Sequence, residues 1–190
     1  ENYNFSPSTP YAVSRAACDL HLKKFFKNYN FPVIFTRASN VYGPGQQLYR
    51  LIPKAILCAM LRKKFQLHGG GKSLRSFIHI RDVVEATYKI CLKGVIGQTY
   101  HLANKEVYKI RDIVDLIAKK IEISSNEFVE TVSDRPGKDQ AYLLNSDKIF
   151  KKMNWKSKIK LKDGIDETFL WIKKNINIIK KLPDFYEHKK

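Results

Sequence analysis

Glycine-rich phosphate loops, long apolar runs and paired cysteines are all missing from this 190-residue chain. No G-x-x-G-x-x-G follows a strand pattern, and Gly69-Gly70-Gly71 precedes a strand where such a loop would open a helix. The backbone cradle that commonly holds a dinucleotide pyrophosphate is therefore not encoded in these residues. No apolar run approaches the ~20 residues of a membrane span, and the first residues have no signal-peptide pattern. Cys18, Cys58 and Cys91 lie far apart, with no CxxC and no histidine cluster beside them. That spacing excludes a zinc finger or disulfide framework and reads as small buried hydrophobes in a reducing compartment, the cytoplasm. His21, His79 and His188 show no ligand or triad spacing, so no metal site is expected.

Acidic residues are also scarce: 18 Asp and Glu face 35 Lys and Arg, a net charge of +17. Such a charge suits an anionic partner. The lysines, however, are spread along the whole chain beside abundant Asn and Ile, a bias that AT-rich coding DNA produces. Few aromatics interleave with the bases in a stacking pattern, so no nucleic-acid partner is expected. A nucleotide diphosphate accounts equally well for the useful part of the charge.

What is present is an ordered α/β pattern, with 44% hydrophobic and 12% aromatic residues. Pro10 suits a first helical turn that Ser8 or Thr9 can cap, and the helix runs through Val13, Ala16, Ala17, Leu20, Phe25 and Phe26. A buried strand is predicted over 31–37, then a Gly/Pro loop at 40–45 and an apolar helix from Leu51 to Leu61. Short strands are expected at 65–68, 76–80, 99–102 and 128–132. Asp82 can cap a helix over Val83–Leu92. Helices are further predicted over 110–121, 146–153 and 164–178, with a tail that frays after Pro183. Alternating strands and helices indicate an α/β protein.

Tyr11 and Arg15 stand four residues apart and project from one helical face. A cation there favours a phenolate over a phenol, whose ordinary pKa is about 10. Bringing such a group near neutrality takes roughly 3 units, or about 4 kcal/mol. One unit charge at roughly 4 Å and an effective dielectric near 20 supplies a similar amount.

Three further motifs keep order with this pair: Ser8-x-Pro10-Tyr11-x-x-Ser14-Arg15 is followed by Arg37-x-x-Asn40-Val41-Tyr42-Gly43-Pro44, Arg75-x-Phe77-x-x-x-x-Asp82 and Asp134-Arg135-Pro136-Gly137-Lys138-Asp139. Together they resemble the extended short-chain dehydrogenase/reductases that act on nucleotide sugars. The last segment is similar to the D-R-P-G-H-D of dTDP-glucose 4,6-dehydratases. Arg15 stands where that family has lysine, and Lys138 where it has histidine.

The resemblance implies the C-terminal part of a Rossmann-like doubly wound sheet plus a small α/β substrate-binding domain. Residues 1–45 would belong to the NAD-binding part, 46–182 mainly to the nucleotide-sugar domain with some elements returning to the sheet, and 183–190 to a tail. It implies NAD as cofactor, a nucleotide-diphosphate sugar as substrate and a homodimer, in polysaccharide biosynthesis. Tyr11 would be the acid/base, Arg15 would take over the lysine's contact with the nicotinamide ribose, and Ser39 would lie against the cofactor. Asn40, Arg75, Arg135 and Lys138 would hold the sugar diphosphate. Gln66, His68 and Asn104 stand at positions that in the family line the nucleoside and sugar pockets.

The reaction implied is oxidation at C4, loss of water and reduction at C6. A 4-epimerase of the same superfamily and a non-catalytic sugar-nucleotide-binding remnant are the alternatives. Because only ten residues precede Tyr11, the chain reads as the C-terminal part of a longer protein that cannot turn over substrate alone.

Overall fold

In a computed structural model, residues 5–134, 137 and 139–186 are described. Helix α1 (Pro10–Tyr29) opens as its sequence dictates: Pro10 occupies the first turn, and Thr9 Oγ1 accepts the Ala12 N–H at 3.2 Å. Asn30, in the left-handed conformation, ends it. Strands β1 (Phe35–Ala38) and β2 (Asn40–Tyr42) follow, then α2 (Leu51–Met60), β3 (Phe65–His68), β4 (Leu74–Arg75), β5 (Phe77–His79) and α3 (Ile80–Lys93). The chain continues through β6 (Thr99–Leu102), β7 (Tyr108–Lys109), α4 (Ile110–Ile121), α5 (Ser125–Phe128) and β8 (Val129–Val132). It closes with β9 (Ala141–Tyr142), α6 (Asp147–Met153), α7 (Leu161–Lys174) and α8 (Ile176–Ile179).

Pairing is mostly parallel and between strands distant in sequence. β1 pairs with β6, β2 with β5 and β3 with β8, all in parallel. β4 lies between antiparallel β7 and parallel β9. Parallel strands joined through helices are the mark of an α/β fold.

Two cores hold it. The larger packs α2, α4 and α7 around Ile56, Leu57, Ile113, Ile117 and Ile172, with Phe65 and Phe128 closing it. The smaller joins Ile78 of β5, Ala86 and Ile90 of α3, and Tyr100 and Leu102 of β6 to Ile149 and Trp155.

Several local expectations are corrected. The strand predicted over 31–37 begins only at Phe35, because Pro32 has no N–H to give a ladder and Phe31 is 46% exposed. α3 starts at Ile80 and its cap is His79, whose Nδ1 accepts the Arg81 N–H at 3.3 Å. Asp82, read as the cap, sits inside the first turn and reaches across the molecule. Its Oδ2 accepts the backbone N–H groups of Lys158 (3.1 Å) and Ile159 (3.0 Å). Of the cysteines only Cys58 is buried; Cys18 and Cys91 are exposed. The described part of the tail is docked, with Tyr186 edge-on to Tyr49 at 5.4 Å and Asp184 4.0 Å from Lys63.

Tyr42 is the pin between β2 and α7. It is 2% exposed, its hydroxyl donates to the Leu161 carbonyl at 3.4 Å, and its ring meets Phe77 and His79 edge-on. α7 approaches so closely that a Cβ on Gly164 would lie 2.1 Å from the Tyr42 hydroxyl oxygen. Only glycine fits there, in the middle of a helix where glycine is otherwise unfavourable.

Candidate active site

The first turns of α1 and the end of β1 enclose a cleft of ≈ 690 Å³. Tyr11 and Arg15 line it from one side of α1, and Tyr11 is 75% exposed to it and to solvent. Arg15 makes no ion pair with any described residue, so its charge is available within the cleft. Gly137, Asp139 and Tyr142 also line it, and a Cβ on Gly137 would lie 3.6 Å from Thr9 Cγ2 at the α1 N-cap. Tyr11 therefore shares one cavity with Gly137 and Asp139, although Gly137 lies 126 positions further along the chain. Arg135 and Lys138, expected to hold phosphate from this segment, lie outside the described residues.

Arg75 is joined to the same lining. Its guanidinium donates to the Asp139 carbonyl at 2.6 Å and to the Leu74 carbonyl at 2.8 Å. Asn40 donates from Nδ2 to the Ser76 carbonyl at 3.1 Å, tying β2 to the turn before β5. Asn104 accepts the Glu106 N–H on its side chain and the Ser76 hydroxyl on its carbonyl. With Ser76 and Lys105 it lines a second cavity of ≈ 310 Å³. Gln66 and His68 line neither cavity; His68 Nδ1 is 3.1 Å from the Ser133 carbonyl, on the β3–β8 pair.

Ser39 sits at the turn between β1 and β2, 5% exposed, and its hydroxyl finds no hydrogen-bond partner among the described residues. An unsatisfied buried hydroxyl costs about 1–3 kcal/mol, which a bound polar group would return. Ser39 lines neither of the two cavities.

Reading the sequence locally misses three residues of this cleft: Asp19, Arg37 and Tyr142. Asp19 accepts two hydrogen bonds on Oδ2 from Arg37, at 2.5 Å from Nη2 and 3.2 Å from Nε. The Arg37 guanidinium also lies 5.0 Å from the centre of the Phe5 ring. Partial burial pushes the Tyr142 phenol upward; Arg37 opposes this, while Asp139 and Tyr11 add to it. The signal for Asp19 was available: it stands four residues beyond Arg15 on the same helical face.

Among the described residues no three His, Cys, Asp or Glu side chains converge as a metal would require, and no helix is long and apolar enough to cross a membrane.

Known proteins resemble the chain over most of its length. The family model for GDP-mannose 4,6 dehydratase matches residues 1–168. The dTDP-D-glucose 4,6-dehydratase of Mus musculus is 36% identical over 176 residues, which are 90% of this chain and 49% of that protein. A trifunctional UDP-glucose 4,6-dehydratase/UDP-4-keto-6-deoxy-D-glucose 3,5-epimerase/UDP-4-keto-L-rhamnose-reductase of Arabidopsis thaliana is 34% identical over 89% of this chain and 25% of its own length. The crystal structure of dTDP-glucose 4,6-dehydratase from Bacillus anthracis in complex with NAD superposes with a TM-score of 0.87. It is 31% identical, over 93% of this chain and 56% of that one. The chain thus spans about half the length of these single-function relatives.

Proposed function

The chain belongs to the GDP-mannose 4,6-dehydratase family, and we propose that it supplies the acid/base and sugar-nucleotide side of a nucleotide-sugar 4,6-dehydratase. The observation that carries this reading is the convergence of Tyr11 and Arg15 with Gly137, Asp139 and Tyr142 on one cleft large enough for a sugar and a cofactor ring. The net reaction is loss of water from a hexose attached to a nucleoside diphosphate, giving a 4-keto-6-deoxy sugar with no net change of oxidation state.

The residues present fit a nicotinamide dinucleotide on one side: Arg15 and Tyr11 face the cleft, and the buried Ser39 hydroxyl lacks a partner among the described residues. When bound, that group supplies hydride transfer. The chain's own contribution is proton transfer and binding. Tyr11 takes the proton of the sugar 4-hydroxyl, a role that needs an accessible phenol beside a cation. Arg15 provides the cation and a forked donor for the ribose hydroxyls. Arg75 holds Asp139 just ahead of β9, and with Arg135 and Lys138 gives the diphosphate its cationic partners.

Thymidine is the proposed base, with uridine as the alternative that the assay separates. On the same reading the whole protein is cytoplasmic and homodimeric, takes part in polysaccharide biosynthesis, and has no nucleic-acid or membrane partner.

The test is turnover of dTDP-glucose and UDP-glucose by the whole protein, with product followed by mass loss of one water and by NMR of the keto sugar. Tyr11→Phe should lower kcat at least 100-fold and leave KM within a few-fold, since general acid–base catalysis contributes about 10²–10⁴. Arg75→Ala should weaken sugar-nucleotide binding by about 1.5–3 kcal/mol, the range for hydrogen bonds to charged groups. Wild-type turnover by Tyr11→Phe would remove this assignment.

A further inference from the structure

Asp19 stands one helical turn beyond Arg15 and lines the same cleft. Side chains at this spacing are natural partners, so an unengaged Asp19 would draw the Arg15 guanidinium down the helix and away from Tyr11. In the structure Asp19 is occupied from elsewhere: Arg37 of β1 donates two hydrogen bonds to its Oδ2, and both side chains are only 22% exposed. Arg15 is left without an ion-pair partner among the described residues.

We infer that Arg37 is a positioning residue that occupies Asp19 and thereby keeps the charge of Arg15 available to Tyr11. This rests on the reading of Tyr11 and Arg15 as the proton-transfer pair. The geometry gives the Arg37–Asp19 pair two effects. It neutralises the one carboxylate side chain of α1, since Asp19 is that helix's only acidic residue. It also anchors the helix to β1 between the Tyr11 turn and the distal contact of Phe26 with Gly97. α1 has no buried residue, so its position depends on such discrete ties.

The other ionisable groups near the pair are Asp139, Tyr142 and Tyr11 in the same cleft, His101 of β6, which pairs in register with Arg37, and Lys23 one turn beyond Asp19 on α1. None of these is a second carboxylate on α1. A loss of Arg37 therefore leaves Asp19 with Arg15 and Lys23 as its cationic neighbours on the helix.

Two readouts test this. The first is the ¹⁵Nε–Hε resonance of Arg15 in the 190-residue chain, identified by its absence in Arg15→Lys. In Arg37→Gln it should shift and exchange more slowly as Arg15 engages Asp19. In the double variant Arg37→Gln/Asp19→Asn it should return to the wild-type position.

The second is the pH–rate profile of the whole protein. Arg37→Gln should move its ascending limb to higher pH and lower the rate at neutral pH about tenfold, a displacement of about one pH unit. Arg37→Gln/Asp19→Asn should recover to within about twofold of wild type, and Arg37→Lys should keep the wild-type profile.

A pair that merely clamps the helix would behave differently, with the double variant as impaired as Arg37→Gln. That result, or an unmoved Arg15 resonance in Arg37→Gln, overturns the inference. If the resonance moves as expected while wild type turns over no sugar nucleotide, the ion-pair exchange stands and the dehydratase reading is what fails.

Discussion

Replacing Gly164 by alanine tests whether β2 and α7 are held together by close contact between Gly164 and Tyr42. On helix propensity alone the change should stabilise, since glycine in a helix interior is about 1 kcal/mol worse than alanine. The structure opposes this. The new methyl would lie 2.1 Å from the Tyr42 hydroxyl oxygen, 2.7 Å from Cζ and 2.8 Å from Cε2. Tyr42 cannot swing aside, because its ring is 2% exposed and braced against Phe77 and His79. Relief requires α7 to move off β2 by roughly 1 Å, and overpacking of this kind costs about 1–3 kcal/mol beyond any propensity gain. The weak hydroxyl bond to the Leu161 carbonyl would be lost as well. Net destabilisation should be about 1–3 kcal/mol, read as a lower midpoint in urea and a melting temperature lower by roughly 3–10 °C. In a Tyr42→Phe background the penalty should shrink, because the closest atom is gone. Equal or greater stability for Gly164→Ala, with Tyr42 unmoved, would refute the close-approach reasoning.

Asp82→Ala should cost about 2–4 kcal/mol, because it strips the acceptor from the Lys158 and Ile159 backbone N–H groups; chemical denaturation measures it. Burial holds the His79 imidazole below its usual range, with Glu167 opposing, so neutral His79 favours the fold above about pH 6.5. That stability is lost as pH falls through the lowered value, at up to about 1.4 kcal/mol per pH unit, and His79→Asn should flatten this part of the stability–pH curve while keeping a capping oxygen. In the whole protein, Arg15→Met should lower turnover far more than Arg15→Lys, and indistinguishable pH–rate profiles for both and wild type would remove Arg15 from the mechanism.

Local chemistry made much of this legible in the sequence. The Ile110–Ile121 periodicity became α4 with Ile113, Val114 and Ile117 buried, and the Pro10 start with a Thr9 cap became α1. What was illegible depended on partners far along the chain. Asp82 looks like a cap because Asp commonly is one; that its acceptors' donors lie 76 and 77 residues later is a tertiary fact. The helix predicted over 164–178 breaks at Asn175, whose Nδ2 turns back to the Trp171 carbonyl, a competing local bond that periodicity does not register. In the site, the Tyr11–Arg15 spacing was readable, whereas the Arg37–Asp19 tie joins a strand to a helix across 18 residues. Gly137, Asp139 and Tyr142 share the cleft with α1 through tertiary placement, with β9 paired beside β4.

Burial then sorts the tyrosines by what they can do. Tyr42 belongs to the motif after β1, but desolvation and the carboxylates of Asp82, Asp163 and Glu167 drive its phenol far above the ordinary range. Its hydroxyl serves as a structural donor to the Leu161 carbonyl. Tyr108 is pushed up to about 12, first by burial and then by its 2.6 Å bond to Glu106. Tyr142 lines the cleft, yet partial burial and Asp139 also oppose its phenolate. Each of these surroundings works against proton abstraction near neutrality. Tyr11 differs in placement: it lies open to the cleft, one turn from a guanidinium that no described carboxylate has claimed. A general base needs both access to substrate and a neighbour that favours its charged form. Among these four phenols Tyr11 is the most exposed, and on the proposed reading it is the one that meets the substrate.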